Sequence, residues 1–366
     1  MAMRDTWHNP SSVHRAGQEA RRLVELARAS TAALIGAGPK QITFVSGGTE
    51  AIDLAIRGTL NRTHTGEPPV LVTSRVEHSA GRELAEQLER DGACRVRWWP
   101  VDADGKVLLD RAGDLLRGAT LASIQWANNE TGVIQPVEAV AAACRQHGVT
   151  LHVDATQWVG KMPTNVAGLG ADLLTFAPHK FHGPKGVGVL WQRPGVKLKP
   201  TLVGSQEGGR RGGTENVPSI VGCGVACDLA AAWLASPEEM PRVAKLRDEF
   251  EARILAACQT MTPGVAVNGS RSPRLWNTTN IAFPRLEAEA ILLALSERGV
   301  MASAGAACSS GSLEPSPVLL AMGVPEKLAH GSIRFSIGRE TTADDLQRAA
   351  TIVAEAVARV AASMHP

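Results

Sequence analysis

The residues of this 366-residue chain that could act together chemically fall just after runs that read as β-strands. The run VTLHVD ends in Asp154 and continues Ala155-Thr156-Gln157, which puts a carboxylate at the mouth of a buried sheet. An unpaired charge there is costly, so Asp154 needs a cationic partner. A protonated pyridine nitrogen would serve, because an Asp partner keeps such a ring an electron sink. The next run, ADLLTFA, leads into Pro178-His179-Lys180-Phe181-His182-Gly183-Pro184-Lys185-Gly186. Any lysine by itself reads as a surface residue. Lys180 differs in standing one strand beyond a terminal Asp, between a His and a glycine-rich turn, which suits a Schiff base.

Other strand ends carry polar groups as well. Gly47-Gly48-Thr49-Glu50 follows QITFVS and precedes the helical AIDLAIRG. Backbone N–H groups and a helix N-terminus offer an anion cradle there, although Gly-Gly before a helix is also a common tight turn. Arg75-Val76-Glu77-His78 follows PVLVTS, and Asn128-Asn129-Glu130 follows TLASIQWA. Either could be a satisfied loop.

The elements that must position these groups alternate between residues 15 and 235. Short β-rich runs at 41–46, 69–74, 120–127, 149–154, 171–177 and 187–191 are separated by helical patterns. This predicts an α/β fold with a mostly parallel central sheet, helices on both faces, and a ligand site outside the carboxyl ends of the strands. The long amphipathic pattern PEEMPRVAKLRDEFEARILAAC (237–258) opens a smaller C-terminal α+β region that ends in the helical TADDLQRAATIVAEAVARVAASM. The expected domains are a large one over 15–236 and a small one over 237–366, with residues 1–14 packing near the small one.

Composition narrows the partners. With 38 basic against 36 acidic residues, and no basic run longer than a pair, the chain carries no electrostatic footprint for nucleic acid or a membrane surface. The N-terminal MAMRDTWHNPSSVH lacks a signal-peptide core, and no apolar stretch is expected to reach bilayer-spanning length, so a cytoplasmic protein is expected. The six cysteines have neither CxxC nor Cys/His ligand spacing, which argues for reduced thiols without a metal site. Cys223 and Cys227 stand four apart in IVGCGVACDLAAAW, where helix packing explains them. Cys308 differs, lying among Gly, Ser and Ala in SAGAACSSGSLEPS, a composition that predicts a mobile loop.

A phosphate cradle, an aspartate and a lysine on strand ends are the parts of a fold-type I pyridoxal-phosphate site. At this point the chain resembles the NifS and IscS branch of cysteine desulfurases, within the class-V aminotransferases. The matching stretches are NPSSVH, FVSGGTEA, EHSA, NNETGVIQP, HVDATQ, HKFHGPKGVG, RRGGTENVPSIVG, ACSSGSLEPS and SIRFSIGR, in the family's order over nearly the whole chain.

The resemblance implies a pyridoxal 5'-phosphate enzyme that converts L-cysteine to L-alanine and passes the sulfur to a protein acceptor. Lys180 would hold the cofactor covalently, Asp154 would pair with the ring nitrogen, and His78 would stack on the ring and move protons. Gln157 and Asn129 would bond the ring hydroxyl region. Gly48, Thr49 and His179 would hold the phosphate, together with Thr214 from the partner subunit of a homodimer. Arg334 would clamp the substrate carboxylate as a bidentate fork, Asn129 would share in substrate binding, and Cys308 would carry the persulfide.

Three departures accompany the resemblance. The family usually opens with a strand and helix ahead of NPSS, which here begins at Asn9, so a start further upstream is expected. Ala177 stands where a serine is usual, and the missing hydrogen bond to a charged phosphate would be worth about 1.5–3 kcal/mol. Gly208 replaces a usual arginine. Two alternative readings are another class-V enzyme (a selenocysteine lyase or an aminotransferase) and a catalytically impaired relative lacking the opening segment. Cys308 discriminates against an aminotransferase, which needs no loop thiol.

Overall fold

The computed structural model describes residues 2–61, 66–305 and 315–363. They form two compact units, one comprising residues up to 100, 108–126 and 136–236, the other 101–107, 127–135 and 237 onward. Against expectation, the N-terminal residues group with the first unit, and two short segments from the middle of the chain group with the second.

The first unit is built on a seven-stranded sheet: β1 (Ile42–Val45), β2 (Val70–Ser74), β3 (Arg95–Trp99), β4 (Leu121–Gln125), β5 (Thr150–Asp154), β6 (Leu173–Phe176) and β7 (Gly188–Gln192). Their spatial order is β1-β7-β6-β5-β4-β2-β3. Only β7 runs against its neighbours, β1 and β6, so β1 is parallel to the rest and six strands end on one edge. That edge receives the Gly47-Gly48 turn, the residues leading to His78, Asp154 itself, and the turn that carries Lys180. Strands β1, β2, β4 and β6 are buried along their whole length, as near-continuous apolar runs in a parallel sheet must be.

Strand β3, RVRWW, is absent from the strand expectations. It is one of the two edge strands of the sheet, where Arg95 and Arg97 discourage further pairing, and its charged, half-exposed pattern looks unlike the buried runs. The helix Gly48–Leu60 packs Ile52 and Ile56 against Leu71 and Leu121, and Leu54 against Leu173 and Leu190.

A correction concerns the helix Val217–Leu234. It has 18 residues and is long and apolar enough, by length and composition, to cross a membrane, contrary to the expectation that no stretch is. Part of its apolar surface has a use within the fold. Gly224 lets it close on the helix Arg15–Leu34, since a Cβ there would stand 2.7 Å from the Cα of Ala27, and Cys223 and Cys227 both pack on Thr31.

The second unit has a four-stranded antiparallel sheet in the order β10-β11-β9-β8, from β8 (Ala266–Val267), β9 (Thr278–Ala282), β10 (Ser303–Ala304) and β11 (Ser332–Ser336). The helices Glu239–Cys258 and Ala343–Ser363 cover its core, with Phe250 edge-on to Phe335 at 5.3 Å.

Candidate active site

In the first unit the wall expected to receive a phosphate begins at Gly47, the N-cap of a 13-residue helix that has no side-chain cap bond. The first-turn N–H groups there are donors for an anion. Close approach by β7 requires glycine, because a Cβ on Gly188 would sit 2.3 Å from the Gly47 carbonyl carbon. Thr49 is exposed. The nearby carboxylate of Glu50 is neutralised by Arg211 at 2.8 Å and accepts from the Ser46 N–H at 2.8 Å. A Cβ on Gly48 would face Ala177 Cβ at 3.5 Å and Thr156 Oγ1 at 3.6 Å. That hydroxyl is buried and has no hydrogen-bond partner.

His78 caps the helix Ser79–Arg90, its Nδ1 accepting from the Ala80 N–H at 3.1 Å, so the neutral ring carries its proton on Nε2. Burial lowers its pKa, Asp154 opposes that shift, and the Lys180 ammonium adds to it. The turn before it is pinned by Glu77, whose buried carboxylate accepts from Ser74 Oγ and from the Gln125 N–H, each at 2.6 Å. Burial pushes Glu77 up to about 8, and Asp154 contributes to the rise.

Asp154 is buried at the end of β5, one Oδ accepting from the Thr156 N–H at 2.9 Å. Behind it His152 bridges Ser123 Oγ at 2.8 Å and Thr175 Oγ1 at 2.9 Å, and full burial drives it down to about 3, so it is neutral. Gln157 is half-buried and accepts from Lys161 Nζ at 2.5 Å. On β6 the chain passes Ala177 into a 3-10 turn, Pro178–Phe181, that leaves His179 and Lys180 exposed. Burial, Lys180 and Lys185 together lower the His179 pKa. Thr214 lies on an exposed stretch ahead of Val217–Leu234. Gly208 has φ +66°, a conformation in which glycine is unstrained and arginine would not be.

The second unit carries the remaining expected residues. Arg334, on β11, donates from Nη1 to the Asn129 carbonyl at 2.9 Å, and the Asn129 Oδ1 is buried with no partner. Asn128 fixes that loop by accepting from the N–H groups of Glu130 and Thr131. Cys308 lies outside the described residues, as does the loop expected around it. The other five cysteines are buried free thiols. Burial raises Cys94 and Cys258 to about 11 and Cys144 to about 12.

The first unit thus brings Gly48, His78, Asp154, Gln157, His179 and Lys180 to one sheet edge. Pyridoxal phosphate fits the residues present: a helix N-terminus open to an anion, an unpartnered hydroxyl on its wall, a strand-end carboxylate for the ring nitrogen, and an exposed lysine on the adjacent strand. Glu77, His152 and Lys161 were not expected at the site. EHSA and HVDATQ contain the first two, but the signal for their roles is burial, which no local pattern carries.

The sequence profile described as Aminotransferase class-V matches residues 3–349. A cysteine desulfurase of Nostoc sp. (strain PCC 7120 / SAG 25.82 / UTEX 2576) is 44% identical over 360 residues, 98% of this chain and 88% of that one. Among solved structures, a NifS-like protein superposes with TM-score 0.86 at 33% identity, covering 97% of this chain and 92% of its own. A structure titled "SspA in complex with cysteine" has TM-score 0.79 at 29% identity, covering 93% and 94% respectively.

Proposed function

This chain belongs to the class-V aminotransferase family, and from that premise we propose that it is a pyridoxal-phosphate-dependent cysteine desulfurase that converts L-cysteine to L-alanine. The observation that carries the reading is the pair Asp154 and Lys180 at the ends of adjacent strands, on the sheet edge that also holds the glycine-opened helix N-terminus. When bound, pyridoxal phosphate supplies an electron sink for the substrate Cα.

The chain's own residues divide the remaining work. Lys180 would hold the cofactor through its side-chain amine. Asp154 keeps a proton on the ring nitrogen. His78, neutral and oriented by its helix cap, would face the ring and exchange protons with the substrate. Arg334 takes the substrate carboxylate, held in place by the Asn129 carbonyl. Cys308 attacks the substrate sulfur: the Cβ–S bond breaks, an S–S bond forms, and a proton is added to the carbon, giving L-alanine and a persulfide. Five buried thiols, three of them pushed up to about 11 or 12, are unsuited to that attack, which favours the sixth.

The persulfide sulfur then passes to a protein acceptor. The working form is a homodimer in which Thr214 of one subunit completes the phosphate site of the other, a role that suits its exposed position. Free thiols throughout the described residues suit a reducing, cytoplasmic setting.

Incubation with L-cysteine should give equal alanine and sulfide in the presence of a reductant, and without it one extra sulfur on the Cys308 peptide. Cys308→Ser should keep the cofactor and form no persulfide. Extra sulfur on any of the other five cysteines, with Cys308 unmodified, would overturn the proposal.

A further inference from the structure

We propose that Lys161 is a positioning residue that fixes the side-chain amide of Gln157, so that Gln157 acts toward the bound cofactor as a hydrogen-bond donor. The inference rests on the cofactor reading above. Lys161 is 7% exposed, an expensive place for an ammonium group, and its Nζ lies 2.5 Å from the end of the Gln157 amide. An ammonium has three donors and no acceptor. It therefore meets the amide oxygen, and the amide NH2 is left as the end Gln157 presents elsewhere.

The turn that carries both residues is packed on two sides. Trp158 stacks on Trp126 at 4.3 Å with rings 2° from parallel, and its carbonyl accepts from the Lys161 N–H at 3.0 Å. Gly160, at φ +76°, leaves room that Phe181 fills, since a Cβ there would stand 2.4 Å from Phe181 Cγ. Phe181 is the residue after Lys180, so the turn that orients Gln157 is packed against the turn that bears the cofactor lysine. A flipped amide would point its NH2 at the Lys161 ammonium, so the donor orientation is built in.

A donor aimed at the ring hydroxyl oxygen stabilises that oxygen as an anion. It thereby weakens the oxygen's hold on the proton it shares with the nitrogen joining Lys180 to the cofactor. Losing the donor strengthens that hold and raises the pH at which the bound chromophore changes colour, by about one pH unit for one hydrogen bond of ordinary strength. The other charged groups nearby, His78, Asp154, His179 and Lys180, are unchanged in every variant below. Lys161→Met also removes a cation, so the double variant Gln157→Leu/Lys161→Met is measured as well: it should shift no further than Gln157→Leu, and a further upward shift would show that Lys161 acts by its charge and overturn the inference.

The test is the pH titration of the visible absorption of the cofactor-loaded protein, without substrate, for wild type, Gln157→Leu, Lys161→Met and Lys161→Arg. Lys161→Leu replaces Lys161→Met should that variant fail to fold. The expected result is an upward shift for Gln157→Leu, a shift of similar size for the apolar variants at Lys161, and a midpoint near wild type for Lys161→Arg, which retains donors. A shift in Gln157→Leu with none in Lys161→Met or Lys161→Leu would overturn the inference. No shift in Gln157→Leu would instead overturn the placement of Gln157 at the ring.

Discussion

Arg28 and Glu207 meet as a two-pronged ion pair, Nη1 to Oε2 at 2.7 Å and Nη2 to Oε1 at 2.8 Å, with both side chains buried. Glu207 sits at φ +49°, and its carboxylate also accepts from the Phe44 N–H on β1 at 2.9 Å. The pair ties the loop after β7 to β1, the strand that leads into the Gly47-Gly48 turn. Removing Arg28 leaves a buried carboxylate unpaired, so Arg28→Met should destabilise the first unit by about 3–5 kcal/mol, and adding Glu207→Gln should recover much of the loss. Urea unfolding midpoints of the two singles and the double check this, and strict additivity would contradict it.

Glu77 should make stability depend on pH. Its carboxyl ordinarily titrates near 4.5 and is raised to about 8 in the fold, mainly by burial. The folded state therefore holds the proton more tightly. This contribution is fully present below pH 4.5 and is lost as pH rises through about 8. Glu77→Gln mimics the protonated group and should flatten that fall, making the variant more stable than wild type at pH 9 by roughly 1–3 kcal/mol. Melting temperatures at pH 5 and pH 9 decide it: equal pH responses would refute the assignment.

Lys180 should be the residue that borohydride fixes to the cofactor. Reduction of the loaded protein followed by peptide mapping should find the label in the 3-10 turn Pro178–Phe181. Label on Lys161 or Lys185 would show that the sheet-edge geometry has been misread.

The Thr156 hydroxyl, buried and unpartnered on the wall facing Gly48, should contribute to cofactor retention where Ala177 has none to offer. Thr156→Val should weaken pyridoxal-phosphate binding about 10-fold or more, while Ala177→Ser in that background should restore it. Binding of unphosphorylated pyridoxal serves as the control, and an equal loss for both ligands would place Thr156 away from the phosphate.

Arg334→Ala should raise the KM for L-cysteine by about 100-fold while leaving cofactor binding near wild type, the loss expected when a charge-assisted pair to the substrate carboxylate is removed. Its guanidinium is braced by a backbone carbonyl, that of Asn129, so Asn129→Ala should leave this brace in place. Loss of bound cofactor in Arg334→Ala without substrate present would contradict the assignment.

The residues that end strands were legible in the sequence because the signal is local: a run of apolar, β-branched residues, then one polar residue of definite chemistry. Asp154, Lys180 and the Gly47-Gly48 turn were found that way, as were six of the seven strands of the large sheet. The seventh, β3, was not, because an edge strand needs no continuous burial and its arginines disguise it. The antiparallel setting of β7, which brings the end of β1 to the same edge as β5 and β6, depends on pairing between distant segments. Tertiary structure alone decided which polar side chains lose water. Glu77 between Ser74 and Gln125, His152 between Ser123 and Thr175, and Lys161 against Gln157 are ordinary residues until burial removes the solvent that would otherwise satisfy them. Desolvation is a property of the packed chain, and it is what turns these three from composition into parts of a site.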